Sequence, residues 1–404
     1  MISQEKATHP QFDRLLAQGV PPVILQVLPA LHAGGVEQGT IDMNAAIVKA
    51  GGKSIVVSSG GSRVYDITRG GGTHIELPVH SKNPFVMWAN VRRLRKIIRD
   101  ENVDLVHAMS RAPAWSACRA VEGTNAGYIT SCHSAHKISG RLKRFYNSSI
   151  TRGQRVIAVS HFLARYLEEN YGLDPALIRV VHRGVAIEKW HPNAVSPERL
   201  IACAKHMRIP DGASVIMLPG RLSRIKGHMF LLDAIKSLGR KDVFCLFVGS
   251  DIGNEGYRAE LEKYILAQDL GGQARIVSDC NDLPAAYMLS TVVACPSLVP
   301  EGFGRIAVEA QAMGRPVIAT AHGGSMETII DGETGWLVDV NDVQGLTGAL
   351  SESLALDGRA RALLATRAMA HVAKNFTNDR MCALTLEAYA EVIFLRQSGQ
   401  QKAA

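Results

Sequence analysis

The chain reads PEGFGRIAVEAQAMGRP from Pro300 to Pro316, and this stretch carries the most information about the fold. It follows the apolar run Val292–Cys295, which is typical of a strand buried in a parallel sheet. Gly304 stands where the next helix begins, and the free N–H groups of a helix start attract phosphate. Gly314 followed by proline ends that helix. Buried strand, glycine turn and helix in succession predict a ligand-binding unit of an α/β protein.

The predicted helix after Gly304 has little polar surface, so we expect it to be mostly buried. Its carboxylate, Glu309, then needs a partner, because a charge removed from water is costly unless it is paired. A ribose diol could supply two hydroxyl donors. The alternative is an ion pair with Arg305, although a cation four residues before an acid is the weaker order on a helix.

Apolar strands alternate with helical stretches through both halves of the chain, which predicts two parallel α/β sheets in series. Hydrophobic cores stop growing near about 250–300 residues, so 404 residues also indicate two domains. The segment Ala186–Leu200 breaks the alternation and is predicted to be the linker. We predict strands at Val23–Leu28, Ser54–Ser59, Asp104–Ala108, Tyr128–His133, Arg155–Ser160, Val215–Leu218, Val243–Val248, Arg275–Val277, Val292–Cys295 and Val317–Thr320. Helices are predicted at Glu37–Ala50, Phe85–Arg99, His161–Asn170, Met229–Leu238, Tyr257–Ala267, Arg305–Met313 and Met381–Leu395.

Glu301 and Glu309 are separated by seven residues that begin with Gly-Phe-Gly. This spacing resembles the E-x7-E signature of retaining glycosyltransferases of family 4, and the resemblance extends from Val23 to about Leu395. It implies the GT-B fold, in which two Rossmann-like domains face each other across a cleft. Residues 1–190 would then form the acceptor-binding domain and residues 191–375 the nucleotide-sugar-binding domain. A C-terminal helix within residues 376–404 would pack back towards the first domain.

The resemblance also implies roles for the residues of the signature. The family's second glutamate holds the donor ribose, which would be the role of Glu309. The first contacts hydroxyls of the transferred sugar, which would be the role of Glu301. The backbone at Phe303, Gly304 and Arg305 would face the sugar and the diphosphate. An arginine at the last of these positions departs from the family, which usually has an apolar residue there.

A basic loop, Pro219–His228, follows the first predicted strand of the second half. It resembles the family's Gly-Arg…Lys-Gly loop, whose arginine and lysine grip the donor diphosphate. Arg221 can bind two phosphate oxygens through its planar guanidinium, and Lys226 is a mobile point charge. Taken alone, the loop could equally be a solvated basic turn.

The first half contributes a glycine pair and two histidines. The loop Ala33–Glu37, with Gly34 and Gly35, resembles the family's Gly-Gly-x-Glu loop under the donor phosphates, and it lacks the G-x-G-x-x-G pattern of dehydrogenases. His133 ends a predicted strand, and the family has a histidine in this position beside the transferred sugar. His107 ends another strand, where it either lines the acceptor side or is a buried histidine bonded to a backbone carbonyl.

The charge of the chain is uneven, because residues 1–200 hold 25 Lys and Arg against 15 Asp and Glu. The stretches Phe85–Arg99 and Lys137–Arg155 combine these cations with aromatic residues, which suits an anionic membrane surface or a phosphorylated lipid acceptor. Two solvated helix faces are the alternative. No motif that reads a nucleic-acid groove accompanies the charge, so we do not expect nucleic acid as a partner.

Several features indicate the cytoplasm. We see no signal peptide and no apolar run near about 20 residues, and the seven scattered cysteines favour reduced thiols. We therefore expect a cytoplasmic protein, in contact with the inner face of the plasma membrane if the basic stretches bind lipid.

The resemblance to family 4 implies a retaining enzyme that moves a hexose-type sugar from a nucleotide-diphosphate sugar to an acceptor hydroxyl. The acceptor would be a glycan or a lipid-linked sugar in bacterial cell-envelope synthesis, of lipopolysaccharide or exopolysaccharide. His133 and Glu301 are the predicted catalytic residues. There is no Asp-x-Asp metal motif, so we expect neither a metal nor another cofactor. A sugar-nucleotide epimerase of the same fold and a non-catalytic nucleotide-binding scaffold are the alternatives.

Overall fold

The computed structural model describes residues 9–32, 34–136 and 138–401. Its contacts divide the chain into two compact units, which are Met1–Arg183 with Asn378–Ala404 (unit 1) and Gly184–Thr377 (unit 2). The boundary lies seven residues before the predicted one at residue 190. Trp190 belongs to unit 2 because it is buried there, with its ring edge-on to Tyr287 at 5.3 Å between centroids.

The strands of unit 1 are β1 (Val23–Val27), β2 (Lys53–Ser58), β3 (Thr73–Glu76), β4 (Leu105–Ala108), β5 (Gly127–Cys132), β6 (Arg155–Ala158) and β7 (Ile178–Val180). Those of unit 2 are β8 (Ser214–Pro219), β9 (Val243–Val248), β10 (Ala274–Val277), β11 (Val292–Cys295), β12 (Val317–Thr320) and β13 (Trp336–Val338).

The helices are α1 (Pro10–Leu16), α2 (Gly35–Lys49), α3 (Val64–Arg69), α4 (Pro84–Asp100), α5 (Arg111–Val121), α6 (Arg141–Asn147), α7 (His161–Tyr171), α8 (Pro197–Met207), α9 (His228–Leu238), α10 (Glu255–Ala267), α11 (Leu283–Leu289), α12 (Arg305–Ala312), α13 (Ser325–Thr328), α14 (Val343–Ala355), α15 (Gly358–Asn375) and α16 (Asn378–Gln401). Short 3-10 turns lie at Ser148–Thr151, Pro175–Leu177, Pro192–Ala194 and Arg224–Lys226.

Both sheets are parallel and share one plan. Unit 1 has the strand order β3-β2-β1-β4-β5-β6-β7, and unit 2 has β10-β9-β8-β11-β12-β13. In each, the chain runs outward from the first strand, returns, and continues on the other side of it. Ligands of such sheets bind where the order reverses, beyond the carboxyl ends of the central strands. The reversal falls between β1 and β4 in unit 1 and between β8 and β11 in unit 2.

The ten predicted strands are all present, and no end differs from the prediction by more than two residues. His133 follows β5 instead of ending it. Three further strands, β3, β7 and β13, were not predicted. Each has three or four residues, and β3 and β7 are only partly buried at an edge of the sheet, so they lack the continuous apolar run that marks a central strand. The predicted linker also proved too long, because α8 begins inside it at Pro197.

Two predicted helix starts are confirmed by their capping bonds. The Asn83 side chain accepts a 2.9 Å hydrogen bond from Phe85 N at the start of α4, where Pro84 is the first helical residue. The Ser160 hydroxyl accepts a 3.1 Å bond from Leu163 N at the start of α7. These bonds satisfy backbone groups that a helix leaves without partners at its first turn.

The C-terminal helix α16 completes unit 1. It packs against α1, α2, β4 and β5, and contributes the fully buried Tyr389 to their core. The Glu391 carboxylate lies between two arginines of the sheet, accepting hydrogen bonds from Arg155 Nε at 2.8 Å and Arg179 Nε at 2.9 Å. Burial raises the pKa of this carboxyl, but the two guanidinium groups outweigh it and hold the pKa below its usual value.

Every helix in the described ranges is too short or too polar to cross a bilayer.

Candidate active site

Two loops of unit 2 meet beyond the carboxyl ends of β8 and β11. One runs from Gly220 to Gly227 and the other from Pro296 to Gly304, and Leu298 N donates a 2.8 Å hydrogen bond to Ile225 O between them. The contact needs a glycine, because a Cβ on Gly227 would lie 1.9 Å from Pro296 O. The strand reversal therefore brings the basic loop and the glutamate signature together, as the topology predicts.

Lys226 and Glu301 form an ion pair between these loops. The Lys226 ammonium lies 2.6 Å from Glu301 Oε1, and both side chains are only about one-fifth exposed, at 21% and 19%. The Ser297 hydroxyl donates to the same oxygen. Burial raises the pKa of the Glu301 carboxyl, but the Lys226 ammonium, the Ser297 hydroxyl and His322 outweigh it, so the net shift is downward. Glu301 is therefore a carboxylate at neutral pH.

The backbone of Glu301 is held by the loop after β12. Glu301 O accepts a 2.9 Å bond from Gly324 N, and a Cβ on Gly323, where φ is +62°, would lie 2.6 Å from the same oxygen. His322 Nε2 lies 2.8 Å from Ser297 O. Ser297, His322 and these glycines support the first glutamate, and none of them belongs to the motifs singled out in the sequence.

Glu309 is 7% exposed and has two partners. Arg305 Nη2 lies 2.8 Å from Glu309 Oε1, so the ion pair left open by the sequence is present. The Tyr287 hydroxyl donates a 2.9 Å bond to Oε2. Burial and the Glu309 charge raise the pKa of Tyr287 well above its usual value, so this phenol keeps its proton. Sequence analysis missed Tyr287, although a buried tyrosine hydroxyl usually has a polar partner.

The remaining predicted residues of unit 2 differ in their surroundings. Arg221 is exposed, and its side chain has no hydrogen bond or ion pair with any other residue that the structure describes. The Phe303 ring is buried and edge-on to Phe376, with 5.6 Å between centroids, so it is part of the core. Gly304 takes a left-handed conformation, with φ of +91°, directly before α12. The backbone N–H groups of the first turn of α12 follow this residue, and their contact with a ligand stays a prediction.

In unit 1, Gly34 lies in extended backbone directly before α2, and Gly35 is the first residue of that helix. A Cβ on Gly34 would lie 2.2 Å from Glu37 Oε2, so the acid of the loop folds back over the glycine. The Glu37 carboxylate therefore lies at the start of α2, where the helix N–H groups favour negative charge, and a phosphate would have to displace it. Ala33 lies outside the described residues.

His133 adjoins a cavity of unit 1 that is also lined by His107, Ser131 and Arg183. Both ring nitrogens of His133 are buried, and neither has a hydrogen-bond partner among the described residues. Burial lowers its pKa well below the usual value, and Arg183, His107 and His136 add to the shift. His133 is therefore a neutral imidazole with one donor and one acceptor available.

His107 is a buried histidine with a packing role. Its Nδ1 lies 2.7 Å from the Tyr389 hydroxyl of α16, and Nε2 is bonded to the Ser131 hydroxyl. The predicted backbone-carbonyl partner was wrong, because two side-chain hydroxyls satisfy the ring instead. Burial, aided by Arg183, lowers its pKa to about 3.

The basic stretches of unit 1 expose aromatic rings beside arginines. Phe85 is 87% exposed and Trp88 is 54% exposed, with Arg92 lying 4.2 Å from the Trp88 ring centroid. Phe145 is also exposed, with Arg152 at 5.4 Å. The helices that carry these rings, α4 and α6, both pack on α5. Lys137 lies outside the described residues.

Comparisons with known proteins show the family to which the chain belongs. Residues 33–189 match the model of Glycosyltransferase Family 4, and residues 204–368 match that of Glycosyl transferases group 1. The crystal structure of a glycosyltransferase from Rickettsia africae ESF-5 is 35% identical, with a TM-score of 0.86, covering 92% of this chain and 99% of that one. The chain therefore belongs to glycosyltransferase family 4 and has the GT-B fold.

Other relatives are more distant or longer. A D-inositol 3-phosphate glycosyltransferase from Salinispora tropica is 31% identical over 255 residues, which are 60% of this chain and 52% of that protein. The chain thus spans about half the length of the curated relatives it matches. HepE from Anabaena, solved with UDP and glucose, is 21% identical with a TM-score of 0.78, covering 93% of this chain and 100% of that one. At this identity the likeness shows the fold alone.

Proposed function

We propose that this protein is a glycosyltransferase that moves a hexose-type sugar from a nucleotide-diphosphate sugar to an acceptor hydroxyl, with retention of the anomeric configuration. One observation carries the proposal. The Lys226–Glu301 ion pair lies, mostly buried, where the strand order of unit 2 reverses, beside the glycine turn that begins α12. A cation, a carboxylate and free helix N–H groups at one strand reversal suit a sugar joined to a diphosphate.

In this proposal the donor diphosphate competes with Glu301 for Lys226. Arg221, which has no partner among the described residues, supplies a second cation from the same loop. Once Lys226 turns to phosphate, the Glu301 carboxylate can accept hydrogen bonds from hydroxyls of the transferred sugar. Its lowered pKa keeps it an acceptor throughout the neutral range.

We assign the donor ribose to Glu309. The Tyr287 hydroxyl fixes one carboxylate oxygen, and Arg305 neutralises the other. A ribose diol would take over the position of the arginine while the tyrosine bond remains. Arg305 would then be free to contact the diphosphate, together with the backbone at Phe303 and Gly304.

We assign the remaining contacts to unit 1, with Gly34 and Gly35 at the donor phosphates and the neutral His133 at a hydroxyl of the transferred sugar. The anomeric C–O bond breaks with its electron pair going to the diphosphate, and the acceptor oxygen bonds to the same face of the sugar. The acceptor proton passes to the leaving phosphate oxygen. Lys226 and Arg221 offset the charge that develops there, so the reaction as proposed needs no metal or other cofactor.

Calorimetric titration with UDP, GDP, ADP and NAD tests the donor site. UDP comes first, because HepE was solved with it. We expect one nucleoside diphosphate to bind selectively, and Glu309→Gln to weaken it about tenfold, or roughly 1.4 kcal/mol. Glu262→Gln is the matched control, since Arg258–Glu262 is also an i,i+4 pair of unit 2, at 2.9 Å.

Binding of NAD alone, or equal affinity in wild type and Glu309→Gln, would overturn the donor assignment. Selective binding without release of nucleoside diphosphate from any nucleotide sugar, in the presence of acceptor extracts, would favour a non-catalytic scaffold instead. Interconversion of free sugar nucleotides would favour an epimerase.

We further propose that unit 1 contacts an anionic membrane through Phe85, Trp88 and the arginines beside these rings, such as Arg92. The acceptor in this proposal is a lipid-linked glycan of the bacterial cell envelope. Exposed aromatic rings beside cations are the side chains that insert at a lipid headgroup region. Co-sedimentation should show binding to phosphatidylglycerol vesicles but not to phosphatidylcholine vesicles. The double variant F85S/W88S should lose most of it, while the exposed Ile252→Ser in unit 2 should not.

A further inference from the structure

Arg199, Cys203 and His206 lie about one turn apart on helix α8 and face the segment that precedes α11. The Arg199 guanidinium makes two 2.7 Å hydrogen bonds to the Asp282 carboxylate, and His206 Nε2 lies 3.2 Å from Asp279 Oδ1. Residues four and seven positions along a helix share a face with the first. Cys203 is therefore directed at the short stretch of chain between Asp279 and Asp282.

Cys280 occupies that stretch. Cys203 Sγ lies 4.0 Å from Asp282 O and 3.8 Å from Met207 Sδ, and the Cys203 thiol is close enough to Cys280 to shift its pKa. Cys203 is buried, whereas Cys280 is partly exposed. The two ion pairs on either side hold α8 and the segment in register, so one solvent-accessible thiol lies directly in front of one buried thiol.

The two thiols also differ in acidity. The Cys203 thiol lowers the pKa of Cys280, against the opposing effect of burial, and the Asp282 backbone N–H and His206 assist. Interaction with Cys280 and burial raise the pKa of Cys203. The more exposed thiol is thus also the more acidic one, which is how the attacking and resolving thiols of a reactive pair are arranged.

We propose that Cys203 and Cys280 form a redox-active dithiol site that hydrogen peroxide converts into an intramolecular disulfide. The Cys280 thiolate attacks a peroxide oxygen, which forms a sulfenic acid and releases hydroxide. The Cys203 sulfur then attacks the sulfenic sulfur, forming the S–S bond, and the sulfenic hydroxyl leaves with the Cys203 proton as water. The hydroxide released in the first step takes up the proton that Cys280 lost. In total, two thiols lose two electrons to one hydrogen peroxide, and the other products are two waters.

The disulfide would join α8 to the start of α11 and close a loop of more than 70 residues within unit 2. Closing a long loop restricts the unfolded chain more than the folded one. The crosslink would also fix the helix that carries Tyr287, the partner of Glu309. The site does not depend on the proposed transferase activity, so its test needs no substrate.

Cys118 provides an internal comparison. It is partly exposed, as Cys280 is, but burial raises the pKa of its thiol, and the residues that shift this pKa include no other cysteine. The other cysteines, Cys132, Cys245, Cys295 and Cys382, are buried. Exposure alone therefore predicts equal reactivity of Cys118 and Cys280, and only the thiol pairing predicts a difference.

The experiment treats the full chain with hydrogen peroxide and maps peptides by mass spectrometry without reduction. We expect a Cys203–Cys280 crosslinked peptide that dithiothreitol cleaves, and a rise in Tm of several degrees. Before oxidation, iodoacetamide at pH 7 should label Cys280 about tenfold faster than Cys118. Cys118→Ser should leave the crosslink intact, and Cys280→Ser should abolish it.

Cys203→Ser provides the decisive variant, because it removes the resolving thiol but keeps the exposed one. A Cys280 sulfenic acid should then accumulate and be trapped by dimedone. The proposal fails if dimedone labels Cys280 equally in wild type and Cys203→Ser, or if Cys118 and Cys280 are alkylated at equal rates.

Discussion

The two units have the same strand order up to the sixth strand, yet the polar groups at their strand reversals differ. Those of unit 2 are paired with one another, whereas His133 of unit 1 has no hydrogen-bond partner among the described residues. In unit 2, Lys226 is paired with Glu301, and Glu309 with Arg305 and Tyr287. In unit 1, the loop before α2 is a glycine pair, and His133 has two buried nitrogens with no described partner. A shared scaffold thus carries one set of balanced charges and one set of polar groups that still need partners.

This difference in pairing indicates that the two units have different roles in ligand binding. Charges that already compensate each other at low exposure can exchange partners when an ionic ligand arrives, with little further desolvation. A buried neutral histidine without a partner contributes binding energy only when a hydroxyl or water reaches it, because an unmade hydrogen bond is costly. We therefore expect unit 2 to determine nucleotide affinity and unit 1 to act on the transferred sugar.

The largest effect should come from Lys226→Ala. It should lower nucleoside diphosphate affinity about 30- to 100-fold, since a hydrogen bond to a charged group contributes roughly 2–3 kcal/mol. Affinity for the corresponding nucleoside should hardly change. Calorimetry measures both, with Lys236→Ala as the control because that exposed lysine is bonded to Gln268. Equal losses for the diphosphate and the nucleoside would show that Lys226 does not contact phosphate.

His133→Ala should show the converse pattern in unit 1. We expect the release of nucleoside diphosphate from the nucleotide sugar to fall about 10- to 30-fold in kcat/KM, while nucleoside diphosphate affinity stays within about twofold. His32→Ala, at an exposed position, is the control. If nucleotide affinity fell as far as kcat/KM, the division between the units would be wrong.

The smallest effect concerns acid sensitivity, measured by chemical unfolding at pH 7.5 and pH 5.5. His107 has a pKa of about 3 when folded and about 6.5 when unfolded, so its contribution to stability is present above 6.5 and is lost as pH falls towards 3. His107→Gln should reduce the pH-dependent loss by about 1 kcal/mol, and His32→Gln should not. An unchanged loss in His107→Gln would contradict burial of a neutral ring.

Local sequence was sufficient for the elements with strong patterns. The central strands β1, β4, β8 and β11 are buried and mostly apolar, and the starts of α4 and α7 were predicted to within one residue. The short outer strands β3, β7 and β13 were missed because three or four residues leave no periodic signal. The unit boundary was misplaced because the burial of Trp190 depends on Tyr287, almost a hundred residues away.

The family, the fold class and the two glutamates separated by seven residues can all be identified from local sequence, because a strand, a glycine turn and a buried helix are encoded within one short stretch. Which side chains are in contact depends on the tertiary structure. It paired Lys226 with Glu301 across 75 positions and gave Glu309 its tyrosine. It also placed Cys280 in front of Cys203. Such pairs form where the carboxyl ends of neighbouring strands and the faces of packed helices meet, and that proximity has no counterpart in local sequence.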